Sequence, residues 1–513
     1  MSSILVEHNS KIQRIHAEPG QILLDILRQN GFPVTAPCGG NGTCGKCRVT
    51  LEQNQMVAQV LACQTRIEGD CRIHLELASD GIICTDTNTE LPCIPQLRKG
   101  YGAAIDLGTT TIAIRLFDLS TAHQTAQISD WNSQRPYGSD VITRCQYCME
   151  HDNGTQLLAS LIRQQILQLL TRLCSENHIP FQEVTEICLS GNTVMQHLVT
   201  QTSPVSIAVA PFSPKLLFDQ PFSDRLGNAD VFYSPCVAGY IGGDITAGLL
   251  ACGLDHKNKV SLFLDIGTNG EMALCDHGQF VCCAVASGPA FEGAGISCGM
   301  SSTQGAICHV RWNQTAPEYE VIGGGTPKGL CGSGLLDLLA MLLELGVVDE
   351  SGYLLPPEEA PTFLSQWLDE DEDGNGIFYL TSDRSIFFTA RDVRQLQLAK
   401  AAVAAGISVL MEHTGRSFSD LNTLYLAGGF GSHLSAQSAV AIGMLPEALQ
   451  AKILYVGNSS LSGTSVVLLE PEKRKNLLSI QRNCKYLELS GNTSFNYFFP
   501  EHMTFDKEEF PWK

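Results

Sequence analysis

The 513-residue sequence predicts an α+β chain, with a small N-terminal domain around a cysteine loop followed by a duplicated α/β unit of two lobes. Three observations predict it. Cys38, Cys44 and Cys47 stand at C-x5-C-x2-C spacing in a glycine-rich loop, with Cys63 downstream. A strand–Asp-x-Gly-Thr–strand pattern occurs at Asp106 and returns at Asp265, about 160 positions later. A strand from Leu421 to Leu426 runs into Ala427-Gly428-Gly429-Phe430-Gly431-Ser432, and helical sequence follows from His433.

The cysteine spacing is that of a [2Fe-2S] cluster site. Two sulfide-bridged irons need four thiolates, three from one tight loop and the fourth from elsewhere. Gly39, Gly40, Gly42 and Gly45 let backbone amides approach the cluster without Cβ clashes. The flanks read as a β-grasp domain. Apolar residues alternate from Ser3 to Glu7, and a helical stripe runs through Ile22, Leu23, Ile26 and Leu27. Arg48 to Leu51 and Ile73 to Leu77 read as strands. Zinc is the rival ligand, but no second C-x2-C or histidine pair stands near Cys63.

The length calls for several domains rather than one core. We divide the chain into residues 1–94, a short linker at 95–100, lobes at 101–257 and 258–470, and a C-terminal extension at 471–513. A formal charge of −20 opposes nucleic acid or an anionic membrane as partner. Twenty scattered cysteines, one group of which has cluster spacing, fit a reducing cytoplasm better than a disulfide scaffold. The start lacks the pattern of a signal peptide, and apolar runs such as Ala247 to Leu254 are too short to span a bilayer.

The repeated hairpins carry the chemistry of the larger part. Each Gly-Thr turn offers backbone N–H groups and hydroxyls to a phosphate chain, and each aspartate can hold Mg²⁺ through water. The candidates are Gly108, Thr109 and Thr110 in the first turn and Gly267, Thr268 and Asn269 in the second, with Asp106 and Asp265 for Mg²⁺. Gly428, Gly429, Phe430 and Gly431 form a strand-to-helix turn that lets a nucleoside approach the backbone. Leu189-Ser190-Gly191-Asn192-Thr193 repeats that design in the first lobe. Its Asn192 and Thr193 either cap the next helix or contact the nucleotide or a partner.

With these motifs in place, the chain resembles the reductive activators of corrinoid-dependent enzymes. These pair a ferredoxin domain with a two-lobed, ribonuclease H-like ATPase of the acetate kinase, sugar kinase, Hsp70 and actin superfamily. The resemblance spans nearly the whole chain. Besides the cysteine loop, it takes in Asn132-x-Gln134, Tyr137-Gly138-x-Asp140, Gly191-Asn192-Thr193-Val194-Met195, Gly239 to Asp244, Asp265 to Glu271, Ser287 to Gly293, Gly332-Ser333-Gly334 and Gly428 to Gly431. It implies ATP and Mg²⁺ as cofactors beside the cluster, and reduction of a Co(II) corrinoid to Co(I). The implied partners are the corrinoid protein of a methyltransferase system and an upstream donor such as a ferredoxin or flavoprotein. It also favours a homodimer.

In that setting Asp244 and Glu271 are candidates to orient an attacking water, although Asp244 would equally serve a helix start. Three other readings are open: a sugar-type kinase fused to a ferredoxin, an activator of a radical dehydratase, and an electron-transfer adaptor with an inactive ATPase scaffold. Other features read as structural. Cys145-x2-Cys148 and Cys282-Cys283 are packing residues, His197 is a satisfied core histidine, and Asp369 to Asp373 is a solvated loop. Arg391 through Ala405 reads as one long helix beneath the Leu421 strand.

Overall fold

Alternation at the N-terminus produces a regular strand, with Ile4 and Val6 fully buried on its inner face. In this computed structural model the described residues are all except 1, 9–10, 31, 33, 35–39, 41, 43–46, 54–55, 76–92, 257–258, 268, 432–433, 507–511 and 513. The first unit comprises β1 (Ser2–His8), β2 (Lys11–Ala17), α1 (Leu23–Gln29), β3 (Arg48–Gln53), β4 (Met56–Leu61) and β5 (Cys71–His74). Its sheet runs β2-β1-β5-β3-β4, with β1 parallel to β5. The α1 stripe of Leu23, Leu24, Ile26 and Leu27 packs onto the sheet, and Cys47 and Cys63 share that core. In the last turn of α1, the Arg28 guanidinium lies 5.4 Å from the ring centre of Tyr137, which belongs to the next unit.

The first lobe starts with an antiparallel meander, β6 (Tyr101–Leu107), β7 (Thr111–Asp118) and β8 (His123–Trp131). Helices α2 (Val141–Glu150) and α3 (Gly154–Glu176) lead to β9 (Val184–Gly191), which returns parallel to β6. Then come α4 (Thr193–Val199), α5 (Val205–Ala208), β10 (Arg225–Leu226), β11 (Ala229–Tyr233) and α6 (Gly243–Ala251). The sheet order is β10-β11-β9-β6-β7-β8.

The second lobe repeats the plan. β12 (Ser261–Ile266), β13 (Gly270–Asp276) and β14 (Gln279–Val285) form its meander. An insertion follows, with β15 (Ala306–Asn313), β16 (Ala316–Val321), β17 (Gly329–Leu330), α7 (Gly332–Glu344), β18 (Leu368–Glu370), β19 (Gly376–Tyr379) and β20 (Phe387–Thr389). The chain re-enters the lobe through α8 (Ala390–Thr414) and β21 (Thr423–Ala427), which pairs in parallel with β12 as β9 does with β6. α9 (Gly428–Gly431), α10 (Ala436–Ala441), β22 (Ile453–Gly457), α11 (Ser459–Leu469), α12 (Arg474–Asn483), β23 (Cys484–Tyr486) and α13 (Thr493–Glu501) complete it. The main sheet runs β22-β21-β12-β13-β14-β23, so the last segment of the chain supplies an edge strand.

The predicted long helix exists as α8, but it lies on β13 and β14 rather than beneath β21. Gly406 makes the difference, since a Cβ there would come within 2.8 Å of Met272 Sδ and 2.9 Å of Val285 Cγ1. Among the described residues, no helix is long and apolar enough to cross a membrane.

α6 and α11 lie between the two sheets. They share a buried cluster with Ala104 and Phe117 from the first lobe and with Phe263 and Ala273 from the second. The helices cross at backbone contact, because a Cβ on Gly463 would overlap the Ala247 carbonyl. We expect Gly463→Ala to separate them and cost about 1–3 kcal/mol, the usual range for overpacking a filled core. A lowered denaturant midpoint with unchanged melting of the N-terminal domain would show this.

Candidate functional site

The strand pairing brings the two Asp-x-Gly-Thr turns to the same end of their sheets, facing each other across the α6/α11 layer. Asp106 closes β6 and Asp265 closes β12. In the first turn, Gly108 N–H donates to the Thr111 carbonyl at 2.9 Å. Asn132 Nδ2 donates to the Gly108 carbonyl at 2.8 Å, and the Asn132 N–H to the Thr110 carbonyl at 2.9 Å. Arg144, buried in α2, donates to the Thr109 carbonyl, to Gln134 Oε1 at 3.1 Å and to the Gly138 carbonyl at 3.0 Å. The second turn is closed by Gly267 N–H donating to the Asn269 carbonyl at 2.8 Å. Thr268 lies outside the described residues.

Asn192 performs the capping task that the sequence offered it and also braces the first turn. Its Oδ1 accepts from Met195 N–H at 2.9 Å and caps α4, while its Nδ2 donates to Thr109 Oγ1 at 2.8 Å. His197 is a core histidine, as expected. Its Nδ1 lies 2.7 Å from the Thr193 carbonyl, its Nε2 accepts from Lys215 and Leu216 N–H, and burial lowers its pKa to about 4.

Four carboxylates crowd the cleft. Asp106 is held firmly: Asn458 Nδ2 donates to Oδ2 and Ser460 Oγ to Oδ1, each at 2.7 Å. Burial still raises its pKa, against those two bonds and the charge of Arg115. Asp265 is pushed up to about 7 by burial and then by Asp106. Asp244, in the first turn of α6, reaches about 8 through burial and the charges of Asp265 and Asp106. Its Oδ1 accepts only the adjacent Ile245 N–H among the bonds described, at 2.8 Å. Glu271, directly across β12–β13 from Asp265, is raised well above the usual range by burial and by Asp244 and Asp265. Four acids with so little cationic compensation make the cleft strongly electronegative, although among the described residues no three acids, histidines or cysteines stand close enough together to hold a metal ion by themselves.

The strand-to-helix turn after β21 borders this group. Gly428 has φ +86°, and a Cβ there would stand 2.5 Å from Asp265 Oδ1. Gly429 faces open space, while Gly431 packs behind, near Leu426. Phe430 lies in α9.

Sequence reasoning missed Asn458, Ser460 and Arg144, and it did not single out Glu292 for the cleft. Asn458-Ser459-Ser460 is legible as a helix start, yet nothing local says that it reaches Asp106. Glu292 from the second lobe accepts from Thr110 Oγ1 of the first at 3.4 Å, so it bridges the two turns.

In the N-terminal domain, Cys47 Sγ and Cys63 Sγ lie 3.3 Å apart in a buried setting. Two convergent soft donors fit a shared iron–sulfur centre. Cys38 and Cys44 lie outside the described residues.

A β-grasp domain with a buried cysteine pair, joined to duplicated lobes around a carboxylate cleft, defines an iron–sulfur protein with an ATPase-type fold. Comparison with known proteins narrows the class. A "2Fe-2S iron-sulfur cluster binding domain" model matches residues 6–68, a "RACo middle region" model matches 101–257, and "C-terminal domain of RACo the ASKHA domain" matches 259–513. The chain belongs to the RACo family. It is 27% identical to the "Corrinoid activation enzyme RamQ" of Eubacterium limosum, with 94% of this chain and 96% of that one covered. It is 25% identical to a "[Co(II) methylated amine-specific corrinoid protein] reductase" of Methanosarcina barkeri, over 78% and 76%. Among solved structures, a "Reductive activator for corrinoid,iron-sulfur protein" matches with a TM-score of 0.72 and 29% identity, covering both chains fully.

The raised carboxyl groups set the pH behaviour of the cleft. Asp265 and Asp244 keep their protons to about 7 and 8, whereas unfolded chains release them near 4. The native state therefore binds more protons between those values, and stability falls as pH rises through that window. Calorimetry without metal should show a melting temperature that declines from about pH 5 to about pH 8 and levels off above that. Asp244→Asn should flatten the decline, and Mg²⁺ should oppose it in the parent protein.

Proposed function

We propose that this protein is an ATP-dependent reductive activator that returns the corrinoid of a partner protein from inactive Co(II) to Co(I). The observation that carries the proposal is the joining, in one chain, of the buried Cys47–Cys63 pair to a cleft where Asp106, Asp244, Asp265 and Glu271 meet. The relatives' printed activities support it.

Cys38, Cys44, Cys47 and Cys63 would hold the [2Fe-2S] centre, which when bound supplies single electrons at low potential. Asp106 and Asp265 would hold Mg²⁺ through its waters. Gly108, Thr109, Thr110, Gly267, Thr268 and Asn269 would present N–H groups and polar side chains to the phosphates. Gly428, Gly429, Phe430 and Gly431 would lie along the nucleoside. Asp244 or Glu271 would orient the attacking water, ionising once a cation offsets their neighbours.

Nucleotide has a physical task here. One-electron transfer to a couple of lower potential is uphill by about 2.3 kcal/mol per 100 mV. Binding can offset this only if nucleotide prefers the conformation that grips the corrinoid protein. The division into residues 1–94, 95–100, 101–257, 258–470 and 471–513 is part of this proposal. So are the cytoplasmic setting, an upstream ferredoxin or flavoprotein donor, and a homodimer.

The test mixes reduced, anaerobically purified protein with a Co(II) corrinoid protein and follows the Co(I) band in the visible spectrum. Co(I) should form only with Mg²⁺ and ATP. Asp106→Asn should abolish ATP-dependent Co(I) formation while leaving the cluster spectrum intact, and Cys63→Ser should remove the cluster spectrum while ATP still binds. ATP hydrolysis and an intact cluster spectrum without Co(I), across several corrinoid partners, would exclude the proposal.

A further inference from the structure

The segment that leads out of the N-terminal domain is strapped to one end of a helix whose other end holds Asp106. At its start, α11 presents Asn458 Nδ2 and Ser460 Oγ to the two Asp106 oxygens, each at 2.7 Å. At its end, the Leu469 carbonyl accepts from Gln96 N–H at 2.9 Å, and Glu470 Oε2 accepts from Ile94 N–H at 2.9 Å. Arg98 completes the strap. Its Nη2 donates to the Leu468 carbonyl at 2.7 Å, and its Nε and Nη2 grip Glu186 of β9 at 2.6 and 2.7 Å. The eleven residues between these ends span about 16 Å at helical rise.

The helix is wedged between the lobes. All its residues are buried, and its flank against α6 and β9 is small: Ser459, Gly463 and Thr464. Thr464 Oγ1 bonds Ser190 Oγ at 2.5 Å, and Ser190 is the register partner of Asp106. Its sequence enters from β22 of the second lobe, yet its packing lies against β6 and β9 of the first. Any change in lobe separation must therefore act on α11 or on its bonds to Asp106.

We propose that α11 couples the nucleotide cleft to the strap at residues 94–98, and that Mg²⁺–nucleotide releases the strap. This rests on the nucleotide reading above. Each Asp106 oxygen accepts one bond from α11, so a cation that draws on the same carboxylate weakens its hold on Asn458 and Ser460. Weakening that end lets the helix shift against the first lobe, where Arg98 cannot keep both Glu186 and the Leu468 carbonyl. The N-terminal domain then gains freedom when the cleft is loaded. By reciprocity, loosening the strap must tighten nucleotide binding by the same factor.

Amide hydrogen exchange on the full chain tests this, with and without Mg²⁺ and a non-hydrolysable ATP analogue, with calorimetry on the same samples. Exchange at Ile94 and Gln96 should rise at least about fivefold with ligand, the lower end of ordinary coupling. Ser460→Ala should raise it without ligand and shrink the ligand effect. Arg98→Met, far from the cleft, should lower the nucleotide Kd by the factor seen in exchange. Normal binding with unchanged or slower exchange at Ile94 and Gln96 overturns the coupling alone. Absence of any binding heat removes the nucleotide reading, and the coupling with it.

Discussion

The crossing of α6 and α11 sets every other distance in the two-lobed unit. Gly463 and Ala247 meet at backbone contact, and Gly248 allows Ser459 and Phe263 the same closeness. Such an approach leaves no room for side chains between the two helices, so their crossing sets how near the ends of β6 and β12 stand. Asp106 and Asp265 are neighbours because the helices between them are thin.

That closeness has an electrostatic consequence. Four partly buried acids meet there, and Asp106, Asp244 and Asp265 each raise the proton affinity of a neighbour. An arrangement of this kind is unfavourable as a purely structural element, since buried like charges cost stability unless they are neutralised. The proposed Mg²⁺ and nucleotide would together offset that cost. The surrounding polar framework is spent on the turns rather than on the acids. Arg144 and Asn132 fix Gly108 to Thr110 from behind and leave their front edges toward the cleft.

The N-terminal domain has a core of its own, with Cys47 and Cys63 in it, and depends little on the lobes for its packing. Its described links to the rest are few and polar: Arg28 against Tyr137, and the strap from Ile94 to Arg98 on the end of α11. A domain that must present a redox centre to a separate protein is served by such attachment, because polar contacts can be exchanged at small cost while an apolar interface cannot.

How much of this is legible in the sequence follows from the range of each interaction. The cysteine loop, the two Asp-x-Gly-Thr hairpins, the Asn192 cap and the long α8 are local, set by spacing within a few residues, and the sequence by itself determined them. It also determined the duplication, because both copies keep the same strand–turn–strand chemistry. Asn458 and Ser460 reach Asp106 across more than 350 positions, Glu292 bridges to Thr110 across 182, and α8 chooses β13 and β14 through Gly406. Those pairings depend on how sheets and helices pack, which periodicity does not encode. Only the tertiary structure decided that one buried helix touches both the cleft and the strap, because only packing brings distant stretches of chain within hydrogen-bonding distance.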